Sequence, residues 1–354
     1  MRKKNWDKYE NYLFNRICDG IISVCLSNRL TPVIKTIKNG DEICSSIAIK
    51  VTEFFANNMD FLKRECGRDY NGLLVIFDRR EDPITPLLNQ WTYQAMIHEL
   101  IGINNNILEI KHGNNNKSEK LVLSDYEDKF FAANIHSDFG EVANNIKVLI
   151  DELNKEQKLF DKKTETIQDL KKMIDLLPEK KKQSAEVTKH TNIIYELTDL
   201  MHKKNLLEIS SLEQDIACNN NKKDQFSKII NIVKDHLYSN LDKAKICLLY
   251  AFRYEGDPTV KQLTNIMENN NLKEYIKFID YLVEYAGSDK RRLDVLSNKD
   301  FLSKGRSIFF QAFKNIPNVF TQHMSYLTNV LGTIIKGDDK QFETYYPLQR
   351  EKDK

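Results

Sequence analysis

The spacing of apolar residues changes along this chain, and each spacing predicts an element. Between Trp6 and Asn28 the apolar residues Tyr9, Leu13, Ile17, Ile21 and Val24 stand three or four apart, which predicts an amphipathic helix with one apolar face. Pro32 to Ile37 is short, β-branched and bounded by Asn39-Gly40, which predicts a strand. A second helix is expected from Gly40 to about Asn58, with Asp41 and Glu42 where a helix N-terminus favours negative charge. Leu73-Leu-Val-Ile-Phe-Asp78 is almost continuously apolar, the pattern of a strand covered on both faces in a parallel sheet. Helix, strand, helix, strand is one layer of a doubly covered α/β sheet. Two strands make too small a sheet to stand alone, so further strands are expected from elsewhere.

After Asp78 the periodicity is almost wholly helical. Val142, Ile146, Leu149 and Leu153 form one stripe, and Ile167, Leu170, Ile174 and Leu177 a second that Pro178 interrupts. A proline removes an N–H and clashes with the preceding turn, so the first long helix is expected to end or bend there. The pattern restarts with Val187, Ile194, Leu197 and Met201 and continues with Ile209, Leu212 and Ile216. Two long antiparallel helices with a turn near Pro178 follow, a hairpin over about 141–218. Ala244 to Phe252 is apolar nearly all round and predicts a buried helix. Further helices are expected around Ile266, at Tyr275–Val283 and at Phe309–Phe313.

A length of 354 residues predicts two domains, or one large domain carrying an insertion. Lys and Arg number 53 against 51 Asp and Glu, so the formal charge of +2 supplies no field for gripping nucleic acid. The six cysteines stand singly without a CxxC pair, which predicts reduced thiols in a cytosolic protein. Met1-Arg-Lys-Lys-Asn-Trp6 runs straight into charged sequence, unlike a signal peptide, and no apolar run is long enough to span a membrane. The seven histidines show no HxH or HExxH spacing, and neither a metal nor any other cofactor is expected. Asp78 and Asp82 follow a strand, where α/β enzymes place catalytic carboxylates, so a metal-dependent hydrolase is one rival reading. No phosphate loop or GxSxG turn accompanies them, which favours a structural role. A purely structural helical protein is the other rival.

The stretch Leu73-Leu-Val-Ile-Phe-Asp-Arg-Arg-Glu-Asp-Pro-Ile-Thr-Pro-Leu-Leu-Asn-Gln-Trp-Thr-Tyr-Gln-Ala-Met-Ile-His-Glu-Leu-Ile-Gly-Ile103 resembles the signature of the Sec/Munc (SM) family of SNARE regulators. Two further blocks agree in order and rough spacing: Thr188-Lys-His190 with Leu206–Cys218, and Asn318–His323 with Ile335-Lys-Gly337. The resemblance implies a mainly α protein with a partial α/β unit. Residues 1–80 would be the first half of the α/β second domain of an SM protein, 81–339 an inserted helical third domain with the hairpin, and 340–354 the start of the return to the sheet. It also implies that this chain is a fragment, without the family's N-terminal domain and without the returning strands after Pro347.

The activity implied is binding without bond chemistry. The resemblance points to a syntaxin-type (Qa) SNARE and a vesicle (R) SNARE as partners of a monomer. It would touch endosomal and Golgi membranes only peripherally, through those SNAREs. Helix-in-groove recognition uses apolar anchors one and two turns apart. The matching face carries Val187, Ile194, Leu197 and Met201 with Lys189 and His190 beside it, and Leu177 and Pro178 at the hairpin turn. The same four apolar residues could equally close the hairpin on itself. Asp78, Arg79, Asp82 and Pro83 are implied to brace the junction of the two domains.

Overall fold

A computed structural model of the chain describes residues 8–66, 72–112, 117–161, 167–291 and 322–347. In chain order it begins with α1 (Lys8–Ser27), β1 (Pro32–Ile37), α2 (Glu42–Asn57), α3 (Met59–Glu65) and β2 (Gly72–Ile76). A short helix α4 (Tyr93–Met96) and a three-stranded meander, β3 (Ile103–Asn104), β4 (Ile107–His112) and β5 (Lys117–Val122), come next. Helices α5 (Lys129–Asn134), α6 (Phe139–Asp161), α7 (Ile167–Lys203), α8 (Leu206–Cys218), α9 (Lys222–Lys234), α10 (Asn240–Arg253), α11 (Pro258–Glu268) and α12 (Lys273–Ala286) follow. The described chain closes with α13 (Tyr326–Ile335) and β6 (Phe342–Tyr345). The expected helix at Phe309–Phe313 lies outside the described residues.

Two compact units form. The first is Met1–Pro83, Glu284–Lys314 and Met324–Lys354, and the second is Ile84–Val283 with Asn315–His323. In the first unit β1 is the central strand of a sheet ordered β2-β1-β6. It pairs parallel with β2, Ile34 opposite Leu74, and antiparallel with β6, Lys35 opposite Thr344. Asp41 caps α2, its side chain accepting from the Ile43 N–H. Ile34, Ile47, Ala48, Val51, Phe55 and Leu62 form the core with Cys18, Ile22 and Cys25 of α1.

Two expectations change in this unit. The α1 stripe chosen from spacing is not the buried face: Tyr9 is 67% exposed and Val24 61%, and Leu13 and Ile17 are exposed too. The neighbouring stripe Cys18, Ile22 and Cys25 is buried instead, because α1 is apolar over a wider arc than one core requires. Residues 73–78 were expected to be covered on both faces, yet Leu73 is 45% exposed and the rest are half-buried, because β2 ends the sheet among the described strands.

The second unit is not wholly helical. The meander β3-β4-β5 overturns that expectation, with Leu108 opposite Leu121 and Ile110 opposite Glu119. In β4, Leu108 and Ile110 face the interior while Glu109 between them is exposed, the period-two alternation of a half-buried strand. The unit's core gathers Tyr93, Met96 and Ile97, these strand residues, Phe130 and Phe131 of α5, Val142 and Ile146 of α6, and Ile193 and Leu197 of α7. Helix α10 is buried nearly all round, as its composition predicts.

The hairpin pairs α6 with α7, and its turn is not at Pro178. Helix α7 runs unbroken from Ile167 through Pro178 to Lys203, and residues 162–166 between α6 and α7 lie outside the described ones. The apolar period resumes on both sides of Pro178, and a single proline bends a helix whose flanks both favour it rather than ending it. The expected second arm stops at Asn205, whose left-handed backbone (φ 46°) separates α7 from α8.

Candidate functional site: the base of the hairpin

The four apolar residues of the predicted face at 187–201 turn toward the unit's own interior. Leu197 is fully buried, and Val187, Ile194 and Met201 are partly buried against the same core. His190 is fully buried, and Lys189 partly. Leu177 and Pro178 lie within α7, beyond the part whose side chains are described. On the described part of α7, Tyr195, at 76% exposed, is the large apolar residue that does face outward.

Lys189 and His190 belong to a polar cluster that sequence reasoning missed. Asp128 caps α5, its Oδ1 accepting from the Phe131 N–H at 2.8 Å. The same carboxylate faces His190 Nε2 at 2.9 and 3.0 Å and pairs with the Lys189 ammonium. The other ring nitrogen, Nδ1, lies 2.8 Å from the Tyr93 hydroxyl. A carboxylate only accepts, so Nε2 carries the hydrogen and Nδ1 accepts from Tyr93 when the ring is neutral. Glu186, one turn before His190, accepts from the Phe130 N–H at 3.0 Å.

These environments move the acids apart. Burial by itself would raise Asp128, but hydrogen bonds from His190, Glu186, Lys189 and the Phe131 N–H outweigh it and hold the carboxyl well below the usual range. Burial, then the hydrogen bond and charge shared with Asp128, push Glu186 up. Burial pushes the Tyr93 phenol up as well, so it stays a donor. One donor atom each from Asp128, Glu186 and His190 lies within 4.8 Å of the others. The readable signal was Glu186 and His190 four apart on one helix face.

The signature blocks also meet in this unit. Glu213, 1% exposed, accepts from the backbone N–H and the side-chain amide of Asn89, both at 2.9 Å. Gln214 accepts from the His323 N–H at 2.7 Å, and the His323 ring lies 3.0 Å from the Thr85 hydroxyl. With Tyr93 on His190, four contacts tie three stretches that lie far apart in sequence.

In the first unit Asp78 caps the turn after β2, accepting from the Arg80 N–H at 2.8 Å, and it shares Arg80 with Asp41. Burial alone would raise Asp78, and its bonds to Arg80 lower it. Asp82, 5% exposed, pairs with Arg79 at 3.1 Å and accepts from the Tyr326 N–H at 2.9 Å, with Pro83 buried beside it. Both carboxylates are thus engaged by arginines and backbone donors, and Arg80, which was not singled out, joins two of the acids.

The Sec1 family matches residues 2–354. Vacuolar protein sorting-associated protein 45 of Dictyostelium discoideum is 36% identical over 335 residues, covering 94% of this chain and 58% of that protein. The Homo sapiens protein of the same name is 34% identical over 355 residues, 97% of this chain and 60% of its own. The solved SM protein Vps45 in complex with the Qa SNARE Tlg2 superposes with a TM-score of 0.79 at 29% identity, covering 94% of this chain and 60% of that one. The Unc18–syntaxin 1 complex from Monosiga brevicollis, 15% identical with a TM-score of 0.72 over 98% of this chain and 63% of its own, shares the fold. The chain thus spans about three fifths of the length of these relatives.

Proposed function

Because the chain belongs to the Sec1 family, we propose that it is an SM-type SNARE-binding protein that regulates vesicle docking and fusion. The likeness to an SM protein solved with its Qa SNARE, over nearly the whole of this chain, carries the reading. The partners are a Qa SNARE helix and a vesicle SNARE helix. The setting is endosomal and Golgi transport, where the chain meets the membrane peripherally through its SNARE partners; no helix among the described residues is long and apolar enough to cross one. Its role is to bind and order, with no bond made or broken.

The hairpin is the proposed platform. Ordering a disordered SNARE segment costs a few kcal/mol, and a preformed helical surface that meets part of that cost lowers the barrier to four-helix assembly. Burial of His190 and Leu197 gives these residues the task of holding α7 in place from beneath. Contact with a partner then falls to outward positions of α7 such as Tyr195, and to the arm that carries Leu177 and Pro178. Val187, Lys189, Ile194 and Met201, partly buried, form the border between the two. Asp78, Arg79, Asp82 and Pro83 serve to brace the chain.

Immobilised chain is offered purified Qa and vesicle SNARE motifs separately. Retention of either supports the proposal, and retention of neither, by a chain whose circular dichroism shows it folded, refutes it.

A further inference from the structure

We propose that Asp128, Glu186 and His190 form a binding site for one divalent transition-metal ion of the zinc class. Glu186 and His190 stand four apart on α7 and so share a face, while Asp128 reaches them from the residue that caps α5. Donor atoms of the three lie within 4.8 Å of one another. Tetrahedral ligands at about 2.1 Å from zinc stand roughly 3.4 Å apart. His190 Nε2 and Asp128 Oδ2 are already 2.9 Å apart, and the partly exposed Glu186 side chain has the freedom to close the remainder.

A second observation, independent of the carboxylates, is how the imidazole is held. Imidazoles that ligate metals use their other nitrogen in a hydrogen bond that fixes the ring. Here the Tyr93 hydroxyl engages Nδ1 at 2.8 Å and leaves Nε2 facing the Asp128 carboxylate. Phe130 and Phe131 wall the ring, their centroids 4.7 and 6.5 Å from that of His190. That wall lowers the polarity on one side of the ring, which strengthens ionic attraction beside it.

The donor set selects the ion. Calcium and magnesium take six or more oxygens, or keep several waters, whereas one imidazole nitrogen with two carboxylates suits zinc and its neighbours. In this structure Asp128 accepts from the Nε2–H of His190 and pairs with the Lys189 ammonium, which also donates to the Val122 carbonyl at 3.3 Å. An entering ion displaces the Nε2 proton. Lys189, whose side chain is 18% exposed, then swings toward solvent. The bound ion would pin α7 to the start of α5, whatever partner the hairpin holds.

The test is equilibrium dialysis of the untagged 354-residue chain against zinc chloride, with elemental analysis and thermal unfolding. One zinc per chain and a raised melting temperature are expected. Glu186→Gln, at a partly exposed position, should keep the helicity and lose at least about tenfold in affinity; Tyr93→Phe, which removes only the hydroxyl holding the ring, should lose about tenfold or more. Cobalt(II) gives a readout that needs no variant: the intense visible absorption of a four-coordinate ion is expected. The proposal is overturned if wild-type chain takes up no stoichiometric zinc, if Glu186→Gln binds as tightly as wild type, or if cobalt keeps its hexa-aqua spectrum. The cluster is then a hydrogen-bonded network alone.

Discussion

Replacing Glu213 with Gln should remove a pH dependence from the stability of the second unit. The Glu213 carboxyl is 1% exposed, and burial pushes its pKa up from 4.5 to about 7 even though Asn89 donates two hydrogen bonds to it and Lys245 is near. In the unfolded chain the group returns to its ordinary value. Between pH 4.5 and 7 the native state therefore binds more protons than the unfolded state, so stability falls as pH rises. The contribution is fully present below pH 4.5 and is lost as pH climbs through 7. The difference is 7 − 4.5 = 2.5 units, which at 1.36 kcal/mol per unit is about 3 kcal/mol.

The assay is urea unfolding of wild type and Glu213→Gln at a series of pH values across that interval. Other groups titrate alike in both chains and cancel in the difference. Glutamine also turns an amide N–H toward the Asn89 side-chain amide, a penalty that does not vary with pH. The slope, not the offset, is then the quantity to read: wild type should lose about 3 kcal/mol relative to the variant on going from pH 4.5 to 7. Parallel stability curves would refute the reasoning, since they would mean that Glu213 keeps its solution pKa and that the pocket around it admits water.

Leu197→Ala, at a fully buried site in α7, should cost about 2–5 kcal/mol in urea unfolding, and a cost near zero would show that this face is not packed as described. Pro178→Ala gives the Ile174 carbonyl the N–H it lacks in α7, worth up to about 3 kcal/mol to the helix. Amide hydrogen exchange along α7 should slow and vesicle-SNARE retention should rise, whereas unchanged exchange with unchanged retention counts against a part for this arm in holding the partner. Tyr195→Ala, at an exposed position, should leave the unfolding midpoint where it is and weaken SNARE retention. Undiminished retention would move the contact surface off the described part of α7.

The first unit was legible where local pattern and tertiary need agree. The β1 strand and helix α2 fall within a residue or two of their expected bounds, because Pro32, Asn39-Gly40 and Asp41 punctuate them locally. Helix α1 was legible as a helix and misread as to its face: periodicity shows that a side is apolar, not which of two adjoining apolar stripes meets the sheet. The meander escaped notice for a different reason. Only Leu108, Ile110 and Leu121 mark its interior side along β4 and β5, amid Lys, Glu and Asn that read as loop. Pro178 was expected to end or bend the helix and to mark the hairpin turn, but an arm held by regular periods on both sides runs on through it.

The polar residues of the signature explain why a strong resemblance need not say which residues meet a partner. Asn89, Glu213, Gln214, His190 and His323 were read as labels of a binding surface or passed over, yet each ties one sequence-distant stretch to another. Buried polar groups must find partners or cost several kcal/mol, so such ties fix one arrangement of α7, α8 and the segment before them. A recognition surface answers to the opposite demand, since its apolar groups have to stay unpaired until a partner arrives. On α7 that separates the fully buried His190 and Leu197 from the exposed Tyr195 within a span of eight residues. If the hairpin holds a foreign helix, the outer face does so, and substitutions at the inner face should change stability first and binding only through it.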